Sequence, residues 1–119
     1  MYEPDVYDNI VATVEAFDPQ TRRWRSLPPM STPRSRAVCG VVGGSLIVAG
    51  GFNREDGELT SAEAFTPATG WTPLPPMPHD TWCATACVLN GRLFVVGGRR
   101  SRRLQMWDSA RNEWTVKAE

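Results

Sequence analysis

Reactive side chains are few in this 119-residue sequence, and their spacing excludes more than it allows. His79 is the single histidine, and the cysteines are three: Cys39, Cys83 and Cys87. A Ser/His/Asp relay needs a histidine between a nucleophile and an acid, and no Gly-x-Ser-x-Gly elbow presents a serine. Zinc or copper sites need several ligands at set spacings, and His79 has no companions, so it reads as a surface turn residue. No glycine-rich loop opens a helix, so nucleotide phosphates have no cradle. No catalytic residue, metal or cofactor is assigned, and the expectation is a non-enzyme.

Charge is the chemistry that remains. Arg99, Arg100, Arg102 and Arg103 crowd one short segment, and Arg34 and Arg36 lie in another. A guanidinium fork grips a carboxylate at two points, so clustered arginines suit an acidic peptide segment. The plainer alternative is a solvated basic turn. Trp82 is the aromatic candidate for anchoring a partner, with packing under a neighbouring loop as its alternative. Asn53-Arg54-Glu55-Asp56-Gly57-Glu58 is acidic but lacks EF-hand spacing, and reads as a loop that pairs with water or with the basic one.

Thirteen basic and thirteen acidic residues cancel, so no overall field draws the chain to nucleic acid or to a membrane surface. No apolar run approaches the roughly 20 residues that cross a bilayer. The Met1–Asp5 start lacks the basic and apolar regions of a secretion signal. Cysteines are odd in number and form no Cys-x-x-Cys pair. On one strand Cys83 and Cys87 would sit about 13 Å apart, too far for a disulfide. These features point to a reducing, cytoplasmic setting. The cysteines near the small-residue strands are expected to fill the packed centre of the fold.

The elements that position these residues are strands. Ten glycines and ten prolines punctuate the chain, and no long window carries apolar residues at helical spacing. The chain also repeats itself. Val14-Glu15-Ala16-Phe17-Asp18-Pro19 returns as Ala62-Glu63-Ala64-Phe65-Thr66-Pro67 and, more loosely, as Leu104-Gln105-Met106-Trp107-Asp108. Each copy is followed by a tryptophan: Trp24, Trp71 and Trp114. Leu27-Pro28-Pro29-Met30 returns 47 residues later as Leu74-Pro75-Pro76-Met77, and Leu46–Gly51 at the same shift as Leu93–Gly98.

Each repeat reads as four strands. A small-residue run (Ala37–Val42; Ala84–Leu89) turns through Gly43-Gly44 or Asn90-Gly91, pairs suited to a two-residue hairpin. The second strand (Leu46–Ala49; Leu93–Val96) ends in diglycine. After a polar loop come the third (about Ser61–Phe65; Leu104–Trp107) and the fourth (Trp71–Leu74; Trp114–Val116). Counted backward, Ile10–Phe17 and Arg23–Leu27 are a third and fourth strand alone. The expected division is 1–32 as an incomplete unit, then repeats at 33–78 and 79–119.

Diglycine after an apolar strand, an acid–aromatic third strand and a tryptophan beyond it resemble the kelch repeat over nearly the whole chain. Pro33-Arg34-Ser35 is similar to that repeat's Pro-Arg opening, and Asp80-Thr81-Trp82 departs from it. The resemblance implies an all-β partial propeller of four-stranded antiparallel blades, two of them whole and a third in part. Blades in part of a ring leave open ends, to be met by missing blades or by self-assembly.

In such a ring the loops between blades and between second and third strands share one rim. Met30–Arg36, Phe52–Thr60, Pro78–Trp82 and Arg99–Arg103 therefore collect the candidate partner-binding residues Arg34, Arg36, Trp82, Arg99, Arg100, Arg102 and Arg103. For Arg34 alone, the resemblance implies a place at the channel mouth where peptides dock. It also implies a protein-binding function, including substrate recognition in ubiquitin-ligase adaptors that carry an F-box or BTB domain. A fragment of an enzymatic or sugar-binding propeller is the alternative.

Overall fold

The computed structural model describes residues 10–98 and 102–118. These form twelve strands and no helix. Strands β1 (Val14–Asp18) and β2 (Arg23–Leu27) pair by themselves. Strands β3 (Val38–Val42), β4 (Ser45–Ala49), β7 (Ala62–Thr66) and β8 (Gly70–Leu74) form one four-stranded antiparallel sheet in that order. Strands β9 (Thr85–Leu89), β10 (Arg92–Val96), β11 (Leu104–Asp108) and β12 (Glu113–Ala118) form a second. The described residues thus form half a blade followed by two whole ones.

Hairpin chemistry explains the pairing. Gly43 and Gly44 both have positive φ (57° and 80°), as do Asn90 and Gly91 (53° and 73°), the twist that a two-residue turn needs to match its strands. The outer turns reuse one device. Asp18 accepts from the Gln20 amide, Asp108 from the Ala110 amide, and Thr66 Oγ1 from the Thr69 amide, at 2.9, 3.0 and 3.1 Å.

The three tryptophans occupy one position. Trp24, Trp71 and Trp114 lie opposite Phe17, Phe65 and Trp107 in their strand pairs, with ring centroids 5.2–5.3 Å apart and tilted planes. Trp71 Nε1 donates to the Pro28 carbonyl at 2.7 Å, and Trp114 Nε1 to the Pro75 carbonyl at 2.9 Å. Each indole therefore ties its blade to the Leu-Pro-Pro-Met segment of the blade before. Trp114 is buried at 8 % exposure, whereas Trp24, with no blade before it among the described residues, is 65 % exposed.

The core lies between the two whole blades: Val42, Ile47 and Ala64 join Leu93, Val95, Trp107 and Trp114 in one buried cluster. Gly40 faces the next blade so closely that a Cβ there would stand 2.7 Å from Leu93 Cδ1 and 2.9 Å from Val88 Cγ2. Leu93 is fully buried and cannot yield. Replacing Gly40 with valine should therefore wedge the joint and cost about 1–3 kcal/mol, read as an earlier urea midpoint.

Three sequence expectations change. The third strand of the half-blade begins at Val14 rather than Ile10, because Val11 instead forms an isolated antiparallel bridge with Arg34. The acidic loop contains a short hairpin of β5 (Phe52–Asn53) and β6 (Gly57–Glu58), in which buried Asn53 caps the turn by accepting from the Asp56 amide. The three cysteines are exposed rather than packed. Cys39 alternates with Gly40 onto the side where the half-blade has no inner strands among the described residues, and Cys87 lies opposite Phe94 in the second whole blade.

Candidate functional site

At the joint between half-blade and first whole blade, Glu63 on β7 holds Ser31 of the half-blade with one oxygen and, with the other, Arg34 of its own blade. Arg34 Nη1 donates to the carbonyls of Gly50 and Ser61, both at 2.9 Å, and its Nη2 lies 3.2 Å from Glu63 Oε2. The other Glu63 oxygen accepts from the Ser31 amide at 2.9 Å and the Ser31 hydroxyl at 3.0 Å. Side-chain exposure is 1 % for Arg34 and 2 % for Glu63. Burial pushes the guanidinium below its ordinary range, and the hydrogen bond and charge of Glu63 pull it back up. Arg34 is thus a latch inside the molecule. An open channel mouth does not match this setting: Nη1 and Nη2 are committed to Gly50, Ser61 and Glu63 of its own blade, and Nε is buried without a partner among the described residues.

The next joint does the same work without charge. Gln105 stands where Glu63 does and accepts from the His79 amide at 3.0 Å. The donor moves one residue along because Pro78, at the place of Ser31, has no N–H. Thr81 replaces Arg34 and is equally buried. Gly97 donates to the Arg103 carbonyl at 2.8 Å, just as Gly50 donates to that of Ser61 at 3.0 Å. Gln105 Nε2, a donor, is buried and has no partner among the described residues.

The rim above these joints holds the other candidates. Ser35 and Phe52 exchange both backbone hydrogen bonds at 3.0 Å, and Asn53 Nδ2 donates to the Pro33 carbonyl at 3.1 Å, so the first inter-blade loop and the β5–β6 hairpin move as one. Phe52 stacks on Trp82 with centroids 5.4 Å apart. Both rings are half-buried. Arg36 and Cys83 occupy equivalent places in successive repeats, both at positive φ (55° and 64°). The exposed Arg36 reaches Cys83 Sγ at 3.5 Å. Three rim loops therefore converge on a ledge of Phe52 and Trp82 edged by Arg36.

Of the basic loop, Arg102 is exposed and Arg103 half-buried, while Arg99 and Arg100 lie outside the described residues. Phe52, first residue of a segment the sequence places on the rim, is not among the binding candidates the sequence offered. The Ser35 bridge holds it against Trp82, a contact that its place after the diglycine does not signal. Among the described residues no group of three or more His, Cys, Asp or Glu side chains is placed to hold a metal ion.

Comparison with known proteins follows this geometry. The family described as "Kelch motif" matches residues 5–31 and 33–78, and a second Kelch motif family matches 82–118. The chain is 38% identical over 93 residues to human Kelch-like protein 33, covering 77% of this chain and 17% of that protein. It is 35% identical over 94 residues to human Kelch domain-containing protein 8B (76% and 27%). With the F-box/kelch-repeat protein SKIP30 of Arabidopsis thaliana it shares 31% identity over 116 residues (93% and 32%). The chain therefore spans a third or less of the curated relatives it matches. A solved structure titled "Structure of YjhT" superposes with a TM-score of 0.76 at 16% identity, over 93% of this chain and 51% of that one.

Proposed function

The chain belongs to the kelch-repeat family, and from that premise we propose that it is a protein-binding propeller segment whose contact surface is the Phe52–Trp82 ledge. The observation that carries this reading is the pairing itself. Trp82 stands where the preceding repeat has Ser35, so no blade-stacking duty explains an indole there. It is held in place on Phe52 at the meeting of three loops, with a guanidinium beside it. Rigid aromatic anchors beside arginine are the usual energetic centre of a protein interface.

The partner segment would set an apolar side chain on the ledge and a carboxylate against Arg36 and Arg102. Kelch-like and F-box/kelch proteins are among the relatives. This supports a further reading of the segment as the substrate-recognition part of a ubiquitin-ligase adaptor in a reducing compartment, with no chemistry of its own.

Affinity capture tests the ledge. Trp82→Ala should weaken capture of a partner by tenfold or more, and Arg36→Glu by less, while Arg22→Ala, on an outer turn, should change nothing. Partners retained equally by all three variants would refute this surface.

A further inference from the structure

The outer wall of the blades carries a second surface, separate from the ledge. In both whole blades the strand after the outer turn, β8 or β12, ends the sheet and presents a free edge. β2 holds the same place in the half-blade, with β1 on its inner side. In the whole blades the first two strands add on the side of the third, β7 or β11. The β2 edge is therefore outermost however its blade is completed.

The neighbouring blade identifies the backbone groups on this edge. Pro73 lies opposite Glu63 in the β7–β8 ladder, and a proline has no N–H to give to β7. The amide at that place in a blade thus points outward. Its counterpart is Ser26, opposite Glu15, so the Ser26 N–H points outward, and by alternation that of Trp24 does too. Proline blunts the β8 edge in mid-strand, whereas β2 carries none.

The side chains select what such an edge would accept. Arg23 and Arg25 are both exposed and share the face opposite to Trp24. That face looks toward the first whole blade, because Trp71 and Trp114 reach for the blades before their own. The two arginines are thus exposed with a neighbouring blade in place. Neither guanidinium has a partner among the described residues. Opposite them on β1 stand Asp18, which accepts from the Gln20 amide, and Ala16. Gly70 and Thr72 fill the two places in β8, and Glu113 and Thr115 in β12, so blade construction requires no arginine at either.

We propose that the β2 edge takes an extended acidic segment of a partner protein as an added antiparallel strand. The backbone of the segment pairs with Trp24 and Ser26, and two carboxylates, two residues apart, meet Arg23 and Arg25. The orientation follows from the outward amides. In an antiparallel pair Trp24 and Ser26 take the hydrogen-bonded positions, and the arginines take the closer ones, about 4.5 Å between Cα atoms. Residues two apart on both strands are spaced about 7 Å, so each guanidinium meets one carboxylate. Main-chain bonds supply the affinity of strand addition, and alternate side chains supply its specificity. Charge on an edge ordinarily keeps strands away. Here it admits strands of opposite sign.

The test uses the ¹⁵N-labelled 119-residue chain and a blocked Thr-Val-Glu-Val-Glu-Val-Thr peptide. Titration should move the amide signals of residues 23–27 and slow hydrogen exchange at Trp24 and Ser26. Ser26→Pro copies Pro73, leaves the β1–β2 ladder and the far-UV spectrum unchanged, and should weaken binding at least tenfold. Arg25→Glu, at an exposed position opposite Ala16, should do the same. N-methylation of the peptide's valines keeps its charge but removes the donors that face Trp24 and Ser26, and should abolish binding. Equal affinity of the methylated and parent peptides, the mark of charge attraction alone, overturns the proposal. Shifts centred on Arg36 and Trp82 overturn it as well, by placing the acidic segment on the ledge, and so does a parent peptide that moves no signal at millimolar concentration.

Discussion

Glu63→Ala should be among the most damaging single substitutions in the chain, lowering stability by about 3–5 kcal/mol. Removal of the carboxylate leaves the Arg34 guanidinium buried at 1 % side-chain exposure without its counter-charge. The Ser31 amide and hydroxyl lose their acceptor as well. A loss of that size is a large fraction of the 5–15 kcal/mol by which domains are stable. Urea unfolding followed by tryptophan emission would register it as a large drop in midpoint.

The neighbouring joint supplies the control. Thr81 and Gln105 fill the same two places without charge, so Arg34→Thr combined with Glu63→Gln copies an arrangement this chain already uses. Glutamine can still accept from the Ser31 amide. The double variant should lose less than the sum of its single changes, by about 1–3 kcal/mol of coupling. Strict additivity would mean that the two side chains contribute independently and that the latch is not a unit.

How far this could be read in advance differs by element. Strand count, blade boundaries and hairpin turns were legible because Gly43-Gly44, Asn90-Gly91 and the recurring tryptophans act through neighbours a few residues away. The shared setting of the indoles is visible in the pairing of Phe17, Phe65 and Trp107 with them. Arg34 was not legible. Its partner lies 29 residues downstream, and its other acceptors are carbonyls of Gly50 and Ser61, which have no side-chain signature. In sequence it is one more polar residue in a proline-rich loop. The ledge was half legible: Trp82 stands out against the repeat, whereas Phe52 is brought to it by backbone bonds from Ser35 that hydrophobic pattern does not encode.

Position in the arc, rather than residue type, should set the cost of losing a tryptophan. Trp114 is buried in the core cluster, stacks on Trp107 and ties its blade to Pro75. Trp114→Ala removes the packing and opens a cavity, for a loss of about 3–5 kcal/mol. Trp114→Phe keeps most of the packing and forfeits mainly the hydrogen bond, for about 1 kcal/mol plus what the orphaned carbonyl costs. Trp24 makes the same aromatic pair with Phe17 but remains 65 % exposed. Trp24→Ala should therefore cost under about 1 kcal/mol, within the range of an exposed aromatic pair. Equal losses at Trp24 and Trp114 in dilute solution would show that the indoles stabilise their own hairpins, and that the ties between blades add little.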